Sequence, residues 1–253
     1  MGAYYDTIAE QYQKSSQLPV RRYVEEYTYL NLLGDLRGKS ILDLGCGEGT
    51  YTRKLKQLGA TQVVGVDISE RMLSLAREEE DREPLGIEYI LSDVTTLGSI
   101  GSFSLVVASY LLNHAQTKEK LLKMCQTIWA NMERGGSFLS ISSNISQPPS
   151  SYPICEKYGF SKSISSPLQE GTPITVTFKV DGQKFSLINY YLSFSNYESA
   201  FRSVGFKEIR WHPPKVSPEG LQRFGQEFWQ DFIDNQPIVG IEVSGCTDKL
   251  NHT

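Results

Sequence analysis

Cysteine, histidine and surplus basic charge are all scarce in this chain of 253 residues, and each scarcity removes a class of function. The four cysteines, Cys46, Cys125, Cys155 and Cys246, stand apart with no C-x-x-C pair, and only three histidines accompany them. Such spacing draws neither a zinc framework nor a disulfide scaffold, so the thiols read as reduced, in a cytoplasmic protein that holds no metal. Lys plus Arg number 25 against 29 Asp plus Glu, a net charge of −4, and no basic stripe runs through the sequence. A groove for nucleic acid shows the opposite balance. No apolar run reaches membrane-spanning length; the longest, Leu105 to Leu112, is strand-sized. The opening MGAYYDTIAEQYQ lacks the order of a secretory leader, and Asp6 stands where a myristoylation signal has Ser or Thr.

Apolar runs and glycine turns, by contrast, are plentiful and alternate with helical periodicity. Two helical segments, Ala3 to Lys14 and Val20 to Leu33, flank Leu18-Pro19. A buried strand and glycine turn then follow over Lys39 to Gly49, and further buried strands at Gln62 to Asp67, Ile87 to Asp93, Phe103 to Leu112 and Ser137 to Ser143. Between them lie helices at Tyr51 to Leu58, from Ser69 to about Asp81, and at Lys118 to Met132, Ser69 serving as an N-cap. Strands buried on both faces lose their polar alternation, so this pattern predicts an α/β, Rossmann-like, doubly wound sheet of about seven strands, mostly parallel with the last antiparallel.

After Asn144 the character changes. Residues 145–191 start Pro- and Ser-rich and end in a predicted hairpin, Ile174 to Val180 and Lys184 to Tyr191, turned at Asp181-Gly182. A helix (Asn196 to Val204), a strand (Phe206 to Trp211), a helix around Glu219 to Phe232 and a strand (Ile238 to Ser244) resume the core. The expectation is a single domain over 1–253, with residues 1–36 as a helical lid and 145–191 as a cap inserted on the acceptor side.

The sequence Asp43-Leu-Gly45-Cys-Gly47-Glu-Gly49 sits between a predicted strand and a predicted helix, where glycines permit positive φ and a close approach of backbone N–H groups to a ligand. Alone it is a tight strand-to-helix turn. Two more strand ends sharpen it. Asp67 ends the second strand, where a carboxylate accepts from a ribose diol. Asp93 ends the third, placed for an adenine amino group, with the Val94 N–H facing a ring nitrogen.

These three strand ends together, DxGxGxG, VVGVDIS and Ser92-Asp93, resemble the class I S-adenosylmethionine (SAM)-dependent methyltransferases, and the likeness extends to the C-terminal AFRSVGFKEIRWHPP. The opening YYDTIAEQY and the closing FGQEFWQDFIDNQPIVGIE are similar to bacterial small-molecule methyltransferases of the toxoflavin-biosynthesis type. The resemblance implies SAM as cofactor and S-adenosylhomocysteine as product. It implies Gly45 and Gly47 under the methionine part, Asp43 near the amino group, Asp67 on the ribose and Ile68 and Met72 about the adenine. Asp93 and Val94 would read the adenine edge, and Ser109 would offer a backbone contact near the sulfonium. Ile68 and Met72 also suit the core at helical spacing. Many relatives carry Asp where this chain has Ser104, a position away from the methyl group.

Methyl transfer from a sulfonium is an in-line displacement, so the protein must align the acceptor and exclude water. His114, just past the fourth strand, is the candidate base, and Asn113 a candidate for positioning the acceptor. Either serves equally as a hydrogen-bonded structural residue. Tyr4, Tyr5 and Tyr12 belong to a segment that, in relatives, folds over the cofactor pocket, which assigns Tyr12 to SAM; they serve equally to pack the helix onto the sheet. Aromatic residues of the cap, Tyr152, Tyr158, Phe160, Phe178, Phe185, Tyr190 and Tyr191, suit a planar or cationic acceptor, or simply a small core of the cap itself. Arg21 and Arg22 could meet an acidic group, although adjacent basic residues on a helix are usually solvated. The expected partner is a small organic acceptor, methylated on N, O or C, with no nucleic acid and no membrane. Two other readings stay open: a nicotinamide oxidoreductase, against which the third glycine comes one residue early for GxGxxG, and a non-catalytic SAM-binding module. The oligomeric state is not legible.

Overall fold

In the computed structural model, which describes residues 2–246, β1 (Ser40–Leu44) is buried from Ile41 onward, Asp43 included, because both its faces are covered. Ile41 packs into one core and Leu42 and Leu44 into the other. The same division recurs along β4 (Phe103–Ser109), where Leu105 and Val107 face one way and Val106 and Ala108 the other. Helices on both sides supply the cover: α3 (Thr50–Gln57), α4 (Glu70–Arg82) and α5 (Lys118–Ala130) on the parallel half.

With β2 (Gln62–Asp67), β3 (Glu88–Leu91) and β5 (Met132–Ser143), and later β9 (Phe206–His212) and β10 (Ile238–Cys246), the seven strands run in the order β3-β2-β1-β4-β5-β10-β9. All neighbours are parallel except the pairs that β10 makes with β5 and β9. This is the expected mostly parallel sheet closed by an antiparallel final strand. The chain reverses its direction of winding between β1 and β4, which opens a crevice at their carboxyl ends.

Four local readings need correction. The strand expected to reach Leu112 ends at Ser109, because Tyr110 takes a left-handed conformation (φ 57°) and the chain turns into a 3-10 turn at Leu112–His114. The segment expected over Val20 to Leu33 is helical throughout but not one regular α-helix: after Val20 it runs through a π-helical turn, Arg21–Glu25, before becoming α2 (Glu26–Leu33). The helix around 219–232 is two helices, α7 (Pro218–Phe224) and α8 (Gln226–Asn235), broken where Gly225 adopts φ 82°. Finally, β5 starts at Met132, well before the predicted Ser137.

Residues 145–191 build a second, antiparallel sheet of three strands, β6 (Phe160–Ser163), β7 (Pro173–Val180) and β8 (Gln183–Tyr190). The β7–β8 hairpin turns at Asp181 (φ 50°) and Gly182 (φ 76°), the left-handed pair that matches the twist of the strands. A 3-10 segment, Pro149–Tyr158, precedes the sheet. Tyr158 stacks on Trp229 of α8 (centroids 5.5 Å), accepts from the Phe232 N–H and donates to the Phe228 carbonyl. Removing a buried aromatic of this size costs about 3–5 kcal/mol, so this contact fixes the segment leading into the second sheet against α8.

The N-terminal α1 (Gly2–Lys14) is held at both ends. Asp6 Oδ1 accepts from Ser69 Oγ (2.6 Å) and the Arg71 N–H (3.1 Å), and Glu10 pairs with Arg71, all on the first turn of α4. On its other side the Tyr4 hydroxyl donates to the Ser186 carbonyl of β8. α1 therefore lies across the crevice between the two sheets.

Candidate functional site

The turn after β1 is shaped by its glycines and tied to β2. The Gly45 and Cys46 N–H groups donate to the Val66 carbonyl, at 2.7 and 3.0 Å, and the Gly47 N–H donates to Asp67 Oδ2 at 2.8 Å. Gly47 sits at φ 57°, and a Cβ built there meets nothing within 4 Å. The space it would enter is the floor of the crevice. Gly49 differs: a Cβ there would lie 2.6 Å from Tyr89 Oη, so that glycine serves packing.

Asp67 accepts a second backbone bond, from Ser69 N to Oδ1 at 2.9 Å, which fixes its carboxylate at the end of β2. Asp43 lies beneath the turn, buried, with Oδ2 accepting from Thr52 Oγ1 at 2.7 Å. Burial pushes the Asp43 carboxyl up to about 7, with Asp67 and Glu48 adding to the rise against the Thr52 bond. Burial raises Asp67 as well. Three acids, Asp43, Glu48 and Asp67, thus crowd one glycine turn, an arrangement that a cationic ligand relieves. The Cys46 thiol is pushed well up by burial and is no nucleophile.

Above the turn lies a cleft with about 730 Å³ of empty space, counting its open mouth. Tyr12, Gly45, Gly47, Asp67, Ile68, Met72, Asp93, Val94 and Ser109 all line it, so every residue assigned to the cofactor from sequence except Asp43 meets in one hollow. Asp93 Oδ1 is engaged by the Thr95 N–H and hydroxyl. Met72 is buried at the start of α4, where Ser69 Oγ accepts from its N–H. Ser104 is remote, exchanging hydrogen bonds with Ser40 at the opposite end of β4.

The two candidates for chemistry separate sharply. His114 lines the cleft; Asn113 does not. The buried Asn113 amide donates to Asn189 Oδ1 of β8 (2.7 Å) and accepts from Ser142 Oγ of β5 (3.0 Å), joining the two sheets. Replacing it by alanine leaves two buried polar groups unpaired. We expect Asn113→Ala to lower stability by about 2 kcal/mol or more in thermal unfolding, without weakening cofactor binding. An unchanged melting temperature would mean that water takes over the amide's role.

His114 is held by two partners. Its Nδ1 lies 3.1 Å from the Ile188 carbonyl, which can only accept, so Nδ1 carries the proton. Nε2 is then the acceptor, and Tyr5 Oη donates to it at 2.9 Å. Burial holds the His114 imidazole down at about 4 and lifts the Tyr5 phenol well above its ordinary value. Sequence reading placed Tyr5 on the right segment but gave no sign that it meets His114, 109 residues away.

A second hollow adjoins the first, sharing Tyr5, Tyr12, Tyr110 and His114 with it and extending under the second sheet to Phe160, Val176 and Phe178. Tyr110 reaches it through the left-handed turn, and its hydroxyl donates to Glu25 Oε2 at 2.8 Å. Lys162 and Arg21, both buried, are its cations. Burial lowers Lys162 to about 8, and its Nζ donates to Gln147 Oε1 and the Pro237 carbonyl.

The residues fit SAM. The open cradle at Gly47 admits a ligand against the backbone, and the crowded acids suit its sulfonium and ammonium charges. Among the described residues no cluster of side chains could hold a metal ion, and no helix is long and apolar enough to cross a membrane.

Comparison with known proteins agrees. Residues 41–136 match the family described as "Methyltransferase domain". A ubiquinone biosynthesis O-methyltransferase of Coxiella burnetii is 31% identical over 112 residues, which are 44% of this chain and 45% of that protein. The chain spans less than half the length of the curated relatives it matches. Among solved structures, the CcbJ methyltransferase of Streptomyces caelestis superposes with a TM-score of 0.68 at 16% identity, covering 96% of this chain and 98% of that one. A SAM-dependent methyltransferase of Clostridium acetobutylicum gives 0.66 at 16% identity, covering 96% and 99%. The chain has the fold of the class I SAM-dependent methyltransferases, with a methyltransferase domain at its centre.

Proposed function

We propose that this protein transfers a methyl group from SAM to a small organic acceptor, bound in the hollow between α1, the His114 turn and the three-stranded sheet. One observation carries the reading: a glycine-floored, acid-rich cleft opens directly into an aromatic chamber, and Tyr5, Tyr12, Tyr110 and His114 belong to both. Bound SAM supplies a methyl group already activated for displacement. The chain's own residues hold and align. In this reading Asp67 accepts from the ribose hydroxyls, Asp93 and the Val94 N–H read the adenine edge, and Ile68 and Met72 flank the base. Asp43 and the Gly45–Gly47 turn hold the methionine end, with Ser109 beside the sulfonium. Tyr5 and Tyr12 on α1 close the cleft against water, which makes residues 1–36 a lid and 145–191 a cap over the acceptor.

The acceptor atom we favour is a hydroxyl oxygen. Such an atom must lose a proton, and Tyr5 with His114 provides a route: the acceptor O–H donates to Tyr5 Oη while Tyr5 passes its own proton to His114 Nε2. The relatives named for ubiquinone O-methylation support oxygen too.

The test is direct. Purified protein, isotopically labelled-methyl SAM and a panel of phenols, alcohols, amines and N-heterocycles are incubated and searched by mass spectrometry. We expect a labelled product whose fragmentation places the methyl on oxygen. No labelled product together with no binding of S-adenosylhomocysteine would overturn the proposal.

A further inference from the structure

Arg21 is the least explained group in the molecule. It stands on the π-helical turn before α2 and is nine-tenths buried, yet its Nε has no hydrogen-bond partner. Among the described residues it enters no ion pair. Its neighbour Arg22, by contrast, is exposed and pairs with Glu219. The Arg21 guanidinium lies over two aromatic rings, 4.5 Å from the centroid of Tyr12 and 4.8 Å from that of Phe178. Stacking on aromatic faces holds a guanidinium in place and leaves its in-plane N–H groups to bond elsewhere.

Glu25, one turn on, is the nearest candidate for a counter-charge, but both its oxygens are engaged. Oε1 accepts from Tyr51 Oη and Oε2 from Tyr110 Oη, at 2.9 and 2.8 Å. Glu25 still favours the Arg21 charge and the Tyr12 hydroxyl bonds to it, but the buried Nε N–H has no partner, and an unpaired buried donor is costly unless a ligand completes it.

Two hollows touch Arg21, and their charges differ. The one beside the glycine turn carries Glu25, Glu26 and Glu48 against Arg21, Arg22 and Lys54, so its charges balance. The chamber under the second sheet has Glu25 as its one acid, against Arg21 and Lys162. Apart from His114, Ser143 and Asn189 its remaining walls are aromatic and aliphatic, with Phe178 stacked between Phe160 and Phe185 at 6.0 and 5.2 Å. An anion therefore belongs on the chamber side.

We propose that Arg21 is a specificity-determining residue: it binds a carboxylate on the acceptor, so that the substrate class is an aromatic acid bearing a methylatable hydroxyl. A planar carboxylate matches the guanidinium fork with two parallel hydrogen bonds, and the ring packs against Phe178 and its neighbours. The inference rests on the methyltransferase reading for its choice of acceptor, but its test does not require turnover.

The test is equilibrium binding in the presence of S-adenosylhomocysteine, using para-hydroxybenzoate and para-hydroxyphenylacetate against their primary amides. The amides keep ring and shape and remove the charge. Charge-assisted hydrogen bonds at a buried site predict acids bound at least about tenfold more tightly than amides by the wild-type protein. Arg21→Met is expected to level the two, and Arg21→Lys, which keeps charge without the fork, to retain part of the preference. Should the methionine variant fail to fold, the wild-type comparison and the lysine variant still decide. Amides binding as well as acids, or neither class binding, would overturn the proposal. So would an Arg21→Met protein that loses S-adenosylhomocysteine affinity but keeps its preference for acids, since the guanidinium would then serve the cofactor's own carboxylate. Absence of S-adenosylhomocysteine binding in the wild type bears on the methyltransferase reading instead, and is read separately.

Discussion

Replacing Asp67 by alanine is expected to weaken S-adenosylhomocysteine binding by more than about 100-fold while the chain still folds. The side chain has two roles that can be separated. Within the protein, its oxygens accept the Gly47 and Ser69 N–H groups and so fix the glycine turn against the start of α4. Toward the ligand, it is the carboxylate on the cleft wall at the end of β2, where a ribose diol is to be held. A hydrogen bond to a charged group is worth about 1.5–3 kcal/mol, so losing a pair costs about 3 kcal/mol or more of binding. The cost in stability is smaller. Two backbone donors lose a partner, but a buried carboxylate that burial already disfavours is removed with them. A net loss below about 3 kcal/mol in thermal unfolding is expected. Titration calorimetry checks the first number and a melt the second. Affinity within a few-fold of wild type in a folded variant would take the ribose assignment away from Asp67.

That assignment was legible in the sequence, and the reason is physical. A parallel strand buried on both faces shows itself as a continuous apolar run, and its last residue is the first that can afford charge. Asp67 ends such a run in β2, whereas Asp43 lies buried one residue inside β1 and Asp93 two residues past the half-exposed β3, so their glycine and strand-end context, more than this rule, marks them. The hairpin at Asp181-Gly182 was legible for a different reason, its demand for two left-handed residues. What escaped were features set by contacts distant along the chain. Nothing in SYLLNHA announces that Tyr110 turns left-handed and that His114 faces the cleft while Asn113 turns to Ser142 and Asn189. The irregular run before β6 concealed a 3-10 segment, because Tyr158 is ordered by Trp229 and Phe232, not by local periodicity. For Arg21 the sequence left an acidic partner and a solvated place on the helix both open, and gave no sign of its burial. An Arg-Arg pair on a helix reads as solvated, and it is the arrival of Tyr12 from α1 and Phe178 from the second sheet that buries one of the two.

Removing a single hydroxyl, in Tyr5→Phe, is expected to lower kcat by about 100-fold, the lower end of what a positioned acid–base group contributes. The ring stays, so its edge-on contacts with His114 and Tyr12 survive and α1 keeps its place. KM for SAM should hardly change. His114→Gln should fall by a similar factor, and the double variant no further, because the two residues move one proton between them. The pH profile separates this from a packing role. Burial holds His114 near 4, so the imidazole is neutral and its Nε2 lone pair available throughout the physiological range. The rate should therefore stay level from about pH 6 to about pH 8, where an ordinary histidine base would still show its acid limb. Stability carries the matching sign. The folded-state value lies below the ordinary 6.5, so between 6.5 and about 4 the unfolded chain binds the proton that the folded chain refuses. Acidification through that window favours unfolding at wild-type His114, and His114→Gln removes that dependence. Asp43, raised to about 7, pulls the other way as pH rises, so the comparison must be made between variants, not across pH in one protein. A Tyr5→Phe enzyme with full kcat and an unaltered profile would show that the phenol only packs, and the proton would then leave the acceptor by way of solvent.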